Sequence, residues 1–194
     1  MGERVLRLKD DEAALFGYGS LISKQSMEKD LGRSYDGDVF VCALEGWRRV
    51  WNIAMPNNRT FYFETPSGPF YPERIVYLNI EPDPGTSLNG TLYVIKQSDV
   101  DAFDRREWIY RRQDATSQLR NITVCGGSAY VYVGKAEYRI PRIETPRVAA
   151  VRSSYLRHLQ TGFVSLGDDF RIAFERSSDP TPLHVVIEDH RRKP

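Results

Sequence analysis

The chain has 194 residues, 41% hydrophobic and 27% charged, with a net charge of +1. That size and balance fit one globular domain with a core of its own and exclude a disordered or collagen-like chain. The near-zero charge gives no electrostatic reason to expect a nucleic-acid or membrane partner.

The first twelve residues are charged and contain no apolar segment of signal-peptide type. No apolar run approaches the roughly 18 residues of a membrane span, so a cytoplasmic protein is expected. Residues 15–21 read Leu-Phe-Gly-Tyr-Gly-Ser-Leu, a short apolar strand that stops in a Gly-rich turn. Glycine tolerates φ > 0 and close backbone approach, so this turn, ahead of a short helix over Ser23–Gly32, is a natural seat for an anion or oxyanion.

Strand-like segments follow at Gly37–Leu44, Arg49–Met55, Thr60–Glu64, Arg74–Ile80 and Gly90–Ile95. The Pro- and Gly-rich stretches Thr65–Tyr71 and Glu81–Asn89 between them read as loops. Ser98 is an N-cap candidate for a short helix ending around Trp108. Alternation returns at Thr116–Cys125 and Ser128–Val133. The stripe Val148, Val151, Tyr155, Leu156 and Leu159 predicts a helix over Thr145–Gln160 with Gly162 as its stop. A last helix is expected at Asp168–Arg176. The tail Ser177–Pro194 is read as either an edge strand, at Leu183–Ile187, or disordered. Many short strands without βαβ alternation argue for a small α+β domain on a curved sheet or barrel, spanning 1–176 with the tail 177–194 appended.

Cys42 and Cys125 sit in apolar runs and read as two buried thiols. His158, His184 and His190 show no ligand spacing with them, so no metal site is expected. The short basic clusters, such as Arg191–Arg192–Lys193, read as solvated faces. Ser20 lacks the flanking glycines of a Gly-x-Ser-x-Gly nucleophile elbow. Glu107 stands among four arginines at a helix end. One reading makes it a surface ion pair with Arg111, four residues on. The other desolvates it against Trp108 and Ile109 and raises its pKa, which suits a general base.

The turn Phe16-Gly17-Tyr18-Gly19-Ser20-Leu21, followed some ninety residues later by a helix ending in Arg106-Glu107, resembles the γ-glutamylcyclotransferase-like superfamily. The Leu21 form is similar to its ChaC-like, glutathione-degrading branch. Further similar segments are Leu44–Trp51, Asn89–Ile95, Ala129–Val133 and Pro146–Phe170, so the resemblance spans residues 14–172. It differs in having Trp108 where a glycine usually follows the glutamate, in an early tyrosine at Tyr110, and in the tail beyond Ser177.

The resemblance implies a small mixed β-barrel flanked by helices. It implies cyclisation of a γ-glutamyl amide or peptide to 5-oxoproline, with release of the amine, and no cofactor. The substrate's α-amine must lose a proton to attack its own γ-carbonyl, and Glu107 would be the general acid/base. Tyr18, Gly19, Ser20, Leu21, Tyr110 and Tyr132 would bind the small-molecule substrate, with Ser20 a hydrogen-bonding group. For Tyr18 and Tyr132, core packing competes with substrate contact, and Trp47 and Trp51 read as core. The alternatives are a non-catalytic binding or regulatory module of the same fold, and a hydrolase using water with Glu107 as base.

Overall fold

The computed structural model describes residues 4–141 and 143–192; Glu3 of the charged start and Lys193 of the basic end lie outside them. The chain runs β1 (Arg4–Arg7), β2 (Glu12–Gly17), α1 (Lys24–Leu31), β3 (Val39–Pro56), β4 (Phe61–Thr65), β5 (Gly68–Phe70) and β6 (Arg74–Lys96). It continues with α2 (Val100–Arg106), β7 (Tyr110–Asp114), β8 (Leu119–Arg120), β9 (Ile122–Cys125), β10 (Ala129–Gly134) and β11 (Ala149–Arg152). It closes with α3 (Ser153–Leu166), α4 (Asp168–Arg176), β12 (Val186–Ile187) and β13 (His190–Arg191). The class is α+β. An eight-stranded mixed sheet follows the order β12-β11-β6-β2-β10-β7, with β3 on β6 and β8 on β3, beside the smaller sheets β1-β9 and β13-β4-β5.

The 23-residue β6 is the spine. β3 runs antiparallel along one flank, from Val39 opposite Tyr93 to Pro56 opposite Arg74. On the other flank β2 covers Thr91–Lys96 and β11, parallel, covers Arg74–Val76. Between them, from Tyr77 onward, β6 has no ladder partner on that flank among the described residues. A cavity opens at this gap, lined by Tyr77 and Leu78. Phe16, Leu44, Ile80, Leu88 and Leu92 fill the main core.

Several elements differ from the sequence reading. Glu81–Asn89 is not a loop: it stays in β6, with Pro82 opposite Trp47 and Ser87 opposite Glu45. A register shift between Glu45 and Trp47 absorbs the breakers, with Gly46 and Gly85 at φ 80° and 92°. Within Thr65–Tyr71, Gly68–Phe70 forms β5 and pairs with β4. A 3-10 turn at Thr116–Gln118 and Asn121, at φ 69°, divide the expected strand Thr116–Cys125. Helix α2 begins at Val100, after a 3-10 turn at Gln97–Asp99, so Ser98 is not its cap.

The helix expected from Thr145 is a strand followed by a helix. Ala149, Ala150 and Val151 are all buried because β11 lies between β6 and β12, and α3 starts only at Ser153. A short strand with parallel partners on both sides reads as an unbroken apolar run, which the helical stripe imitated. Val148 is exposed, and Gly162 lies inside α3, which ends at Gly167. Cys42 is buried, its thiol pushed up to about 12 by desolvation, whereas Cys125 is only half-buried.

The tail is built into the structure. The Arg49 N–H donates to the Ser177 carbonyl and the Asp179 N–H to the Arg49 carbonyl, both at 2.9 Å. β12 forms the edge strand beside β11, and β13 pairs with β4.

Candidate active site

β2 delivers the Gly-rich turn. Gly17 and Gly19 are needed for close approach rather than for positive φ; Gly19 sits at φ −116°. A Cβ on Gly17 would lie 2.7 Å from Leu21 Cβ, and one on Gly19 would lie 2.8 Å from the Tyr155 hydroxyl. The Ile22 and Ser23 N–H groups donate to the Gly19 and Ser20 carbonyls at 3.1 Å, starting a 3-10 turn. The N–H groups of Ser20 and Leu21 precede those bonds and so have no partner within the turn.

Arg49 anchors the turn from the core side. It has no exposed surface, donates from Nε to the Tyr18 carbonyl at 2.9 Å and from Nη1 to Ser177 Oγ at 2.8 Å, and also bonds Asn89. Its guanidinium stacks 3.8 Å from the centre of the Phe174 ring. None of these partners is a carboxylate, and burial pushes the guanidinium down to about 9. The tail therefore helps to fix the turn, through Ser177.

Glu107 enters from α2. Val100 and Phe103 bury that helix against the sheet, and Glu107 forms its C-cap, with its N–H donating to the Phe103 carbonyl at 2.8 Å. Its side chain keeps 17% of its surface exposed and pairs with Arg106, not with Arg111. Burial raises its pKa; Arg106 opposes the shift and Asp30 adds to it. Trp108 is 41% exposed and stacks edge-on against Tyr138.

Tyr18, Gly19, Ser20, Leu21, Glu107, Tyr110 and Tyr132 all line one cavity of about 320 Å³. That is within the usual range for small-molecule sites, about 300–1,000 Å³. Three of its phenols are held by fixed acceptors. Tyr18 donates to the Tyr132 carbonyl at 2.7 Å, Tyr110 to the Leu78 carbonyl at 2.8 Å, and Tyr132 to Asp104 at 2.7 Å. Tyr18 and Tyr132 thus combine core packing with a place on the cavity wall.

The sequence reading missed part of the wall: Lys29 and Asp30 from α1, Tyr77 and Leu78 from β6, Arg152 from β11, and Tyr155 and His158 from α3. The sequence reading puts Tyr155 in an apolar helical stripe and His158 among three histidines without metal-ligand spacing, although the spacing of three puts both on one helix face. No motif marks Asp30 or Arg152. Asp189, from the tail, accepts the Ser154 N–H at 2.9 Å and lies 3.5 Å from Arg152, so it fixes the start of this helix. Burial, then Lys29 and Arg152, lower the His158 pKa. Among the described residues there is no cluster of three or more His, Cys, Asp or Glu able to hold a metal, and no helix long and apolar enough to cross a membrane.

No family model matches the sequence, and no curated protein matches it. Solved structures do match. A γ-glutamyl cyclotransferase superposes with a TM-score of 0.56 at 11% identity, covering 88% of this chain and 90% of that one. An uncharacterized protein from Homo sapiens gives 0.54 at 12%, covering 89% and 90%. A γ-glutamyl cyclotransferase specific to glutathione, from yeast, gives 0.51 at 14%, covering 86% and 95%. The chain has the γ-glutamyl cyclotransferase fold. Within that fold, the gap on the flank of β6 is where the Tyr18–Leu21 turn, the end of α2 and the start of α3 meet.

Proposed function

We propose that the protein is a γ-glutamyl cyclotransferase, releasing 5-oxoproline from a γ-glutamyl amide or peptide. The observation that carries this reading is that Glu107 and the Tyr18–Leu21 turn line the same cavity. The cavity holds the γ-glutamyl chain folded, which brings its α-amine onto its own γ-carbonyl and converts ring closure into a pre-oriented step. As the amine nitrogen bonds to the carbonyl carbon, it gives a proton to ionised Glu107. The C–N bond to the leaving nitrogen then breaks as Glu107 hands that proton on. One proton crosses, and Glu107 ends ionised as it began. Backbone N–H groups of the turn face the negative charge that develops on the carbonyl oxygen.

A raised pKa serves this role, because a base closer in pKa to the amine takes its proton more readily. The test is product analysis with purified protein and γ-glutamyl dipeptides. The expected product is 5-oxoproline, lost in Glu107→Gln. Free glutamate in its place would identify a hydrolase. The Arg106–Glu107 ion pair favours a second reading, a binding module with its carboxylate neutralised. Thermal stabilisation by pyroglutamate or γ-glutamyl dipeptides without turnover would establish it.

A further inference from the structure

Arg106 serves two carboxylates. Its Nε lies 2.8 Å from Asp30 Oδ1, on α1, and its Nη1 pairs with Glu107, at the C-cap of α2. The Asp30 side chain is 9% exposed, lines the cavity, and its Oδ2 is buried with no hydrogen-bond partner. Asp30 and Glu107 therefore form two carboxylates on one shared guanidinium, a net charge of −1 for the three groups, with Lys29 and Arg152 also on the wall. Such a pair holds a proton more tightly than a single carboxylate matched to a single guanidinium.

We propose that Asp30 is a positioning residue for Glu107: it shares Arg106 with Glu107 and so keeps the catalytic carboxylate basic. The inference rests on the cyclotransferase reading for its use, but not for its geometry. A lone Glu107–Arg106 pair would be neutral and a poorer base. Both Asp30 and Glu107 have raised pKa values with burial as the first cause, in keeping with incomplete neutralisation. The other charged or titratable groups on the wall are Lys29 on α1, Tyr18 in the turn, Tyr77 on β6, Tyr110 on β7, Tyr132 on β10, Arg152 on β11, and Tyr155 and His158 on α3. Of these, His158 has its pKa lowered from the ordinary imidazole value, first by burial, so the measurement must read Glu107 itself.

The experiment compares wild type with Asp30→Asn and Asp30→Glu. The first readout is the acid limb of the kcat/KM pH profile for 5-oxoproline release from a γ-glutamyl dipeptide. The second is the carboxyl carbon shift of Glu107 in protein labelled on its glutamates, assigned by its loss in Glu107→Gln. Asp30→Asn is expected to move both midpoints to lower pH by half a unit or more, with a several-fold lower rate on the plateau. Asp30→Glu, which keeps the charge, is expected to hold both near wild type. A merely structural role would lower the rate and leave the midpoints in place, and midpoints unchanged or higher in Asp30→Asn overturn the proposal. If Asp30→Asn does not fold, Asp30→Ser carries the same test. If wild type releases no 5-oxoproline, the cyclotransferase reading fails on its own and the carbon titration still decides the role of Asp30.

Discussion

Two arginines flank the cavity in contrasting surroundings. Arg49, behind the Tyr18–Leu21 turn, has no exposed surface, and its partners are carbonyl, amide and hydroxyl oxygens. Arg106, beside Glu107, is 37% exposed and held between two carboxylates, one with an unpartnered oxygen. The first region spends a buried charge on fixing backbone. The second leaves charge unbalanced where a proton is to be moved. Charge density in the sequence does not separate them: Arg48-Arg49 and Arg105-Arg106 are both paired arginines.

The sharpest way to break this contrast is Glu107→Gln. It keeps the shape and removes the base, and 5-oxoproline formation is expected to fall by about 10²–10⁴-fold with the far-ultraviolet dichroism unchanged. Equal rates in the two proteins would remove Glu107 from the chemistry.

On the other side of the turn, Arg49→Met strands the acceptors that Arg49 now serves. Denaturant unfolding is expected to show a loss of about 2–4 kcal/mol, since each buried unsatisfied polar group costs roughly 1–3 kcal/mol. Unchanged stability would mean that Arg49 does not organise the turn.

Gly19→Ala sets a methyl group against the Tyr155 hydroxyl and is expected to cost about 1–3 kcal/mol. Tyr155→Phe in the same chain removes the clashing oxygen and should recover part of that loss, a coupling read in a double-mutant cycle.

The smallest effect concerns pH and stability. Burial raises the Glu107 pKa above its unfolded value, so its contribution to stability is full below the ordinary carboxylate range and is lost as pH rises through the folded value. Glu107→Gln should therefore melt higher than wild type at pH 7 to 8, and the difference should close as pH falls toward about 4. A wild type that melts higher at neutral pH would place the Arg106 pairing above desolvation.

Local chemistry made part of this structure legible. Apolar Leu15–Phe16 followed by Gly-Tyr-Gly-Ser marked a strand and its turn, and the segment from Ser98 to around Trp108 marked a helix, which the structure places at Val100–Arg106 with Glu107 at its C-cap. Where breakers sat inside a paired strand, at Pro82 and Pro84, local rules read a loop, because the long β3 ladder that holds β6 together is a non-local fact. β11 was misread for the same reason: its burial comes from β6 and β12, strands distant in sequence. Gly17 and Gly19 read as special in the sequence, and the structure gives the cause as close approach to Leu21 and Tyr155, not positive φ.

By itself, then, the sequence determined the α+β class, the turn, and one carboxylate at a helix end, since each is written in residues close along the chain. Only the tertiary structure decided that Glu107 pairs with Arg106 instead of Arg111, and that Asp30, Arg152 and His158 share its cavity. It also decided that the tail carries Ser177 to Arg49 and Asp189 to the start of α3. Desolvation and charge pairing are set by neighbours in space. Those neighbours were brought together by the pairing of β6 with β3, β2 and β11, which no short window of the chain contains.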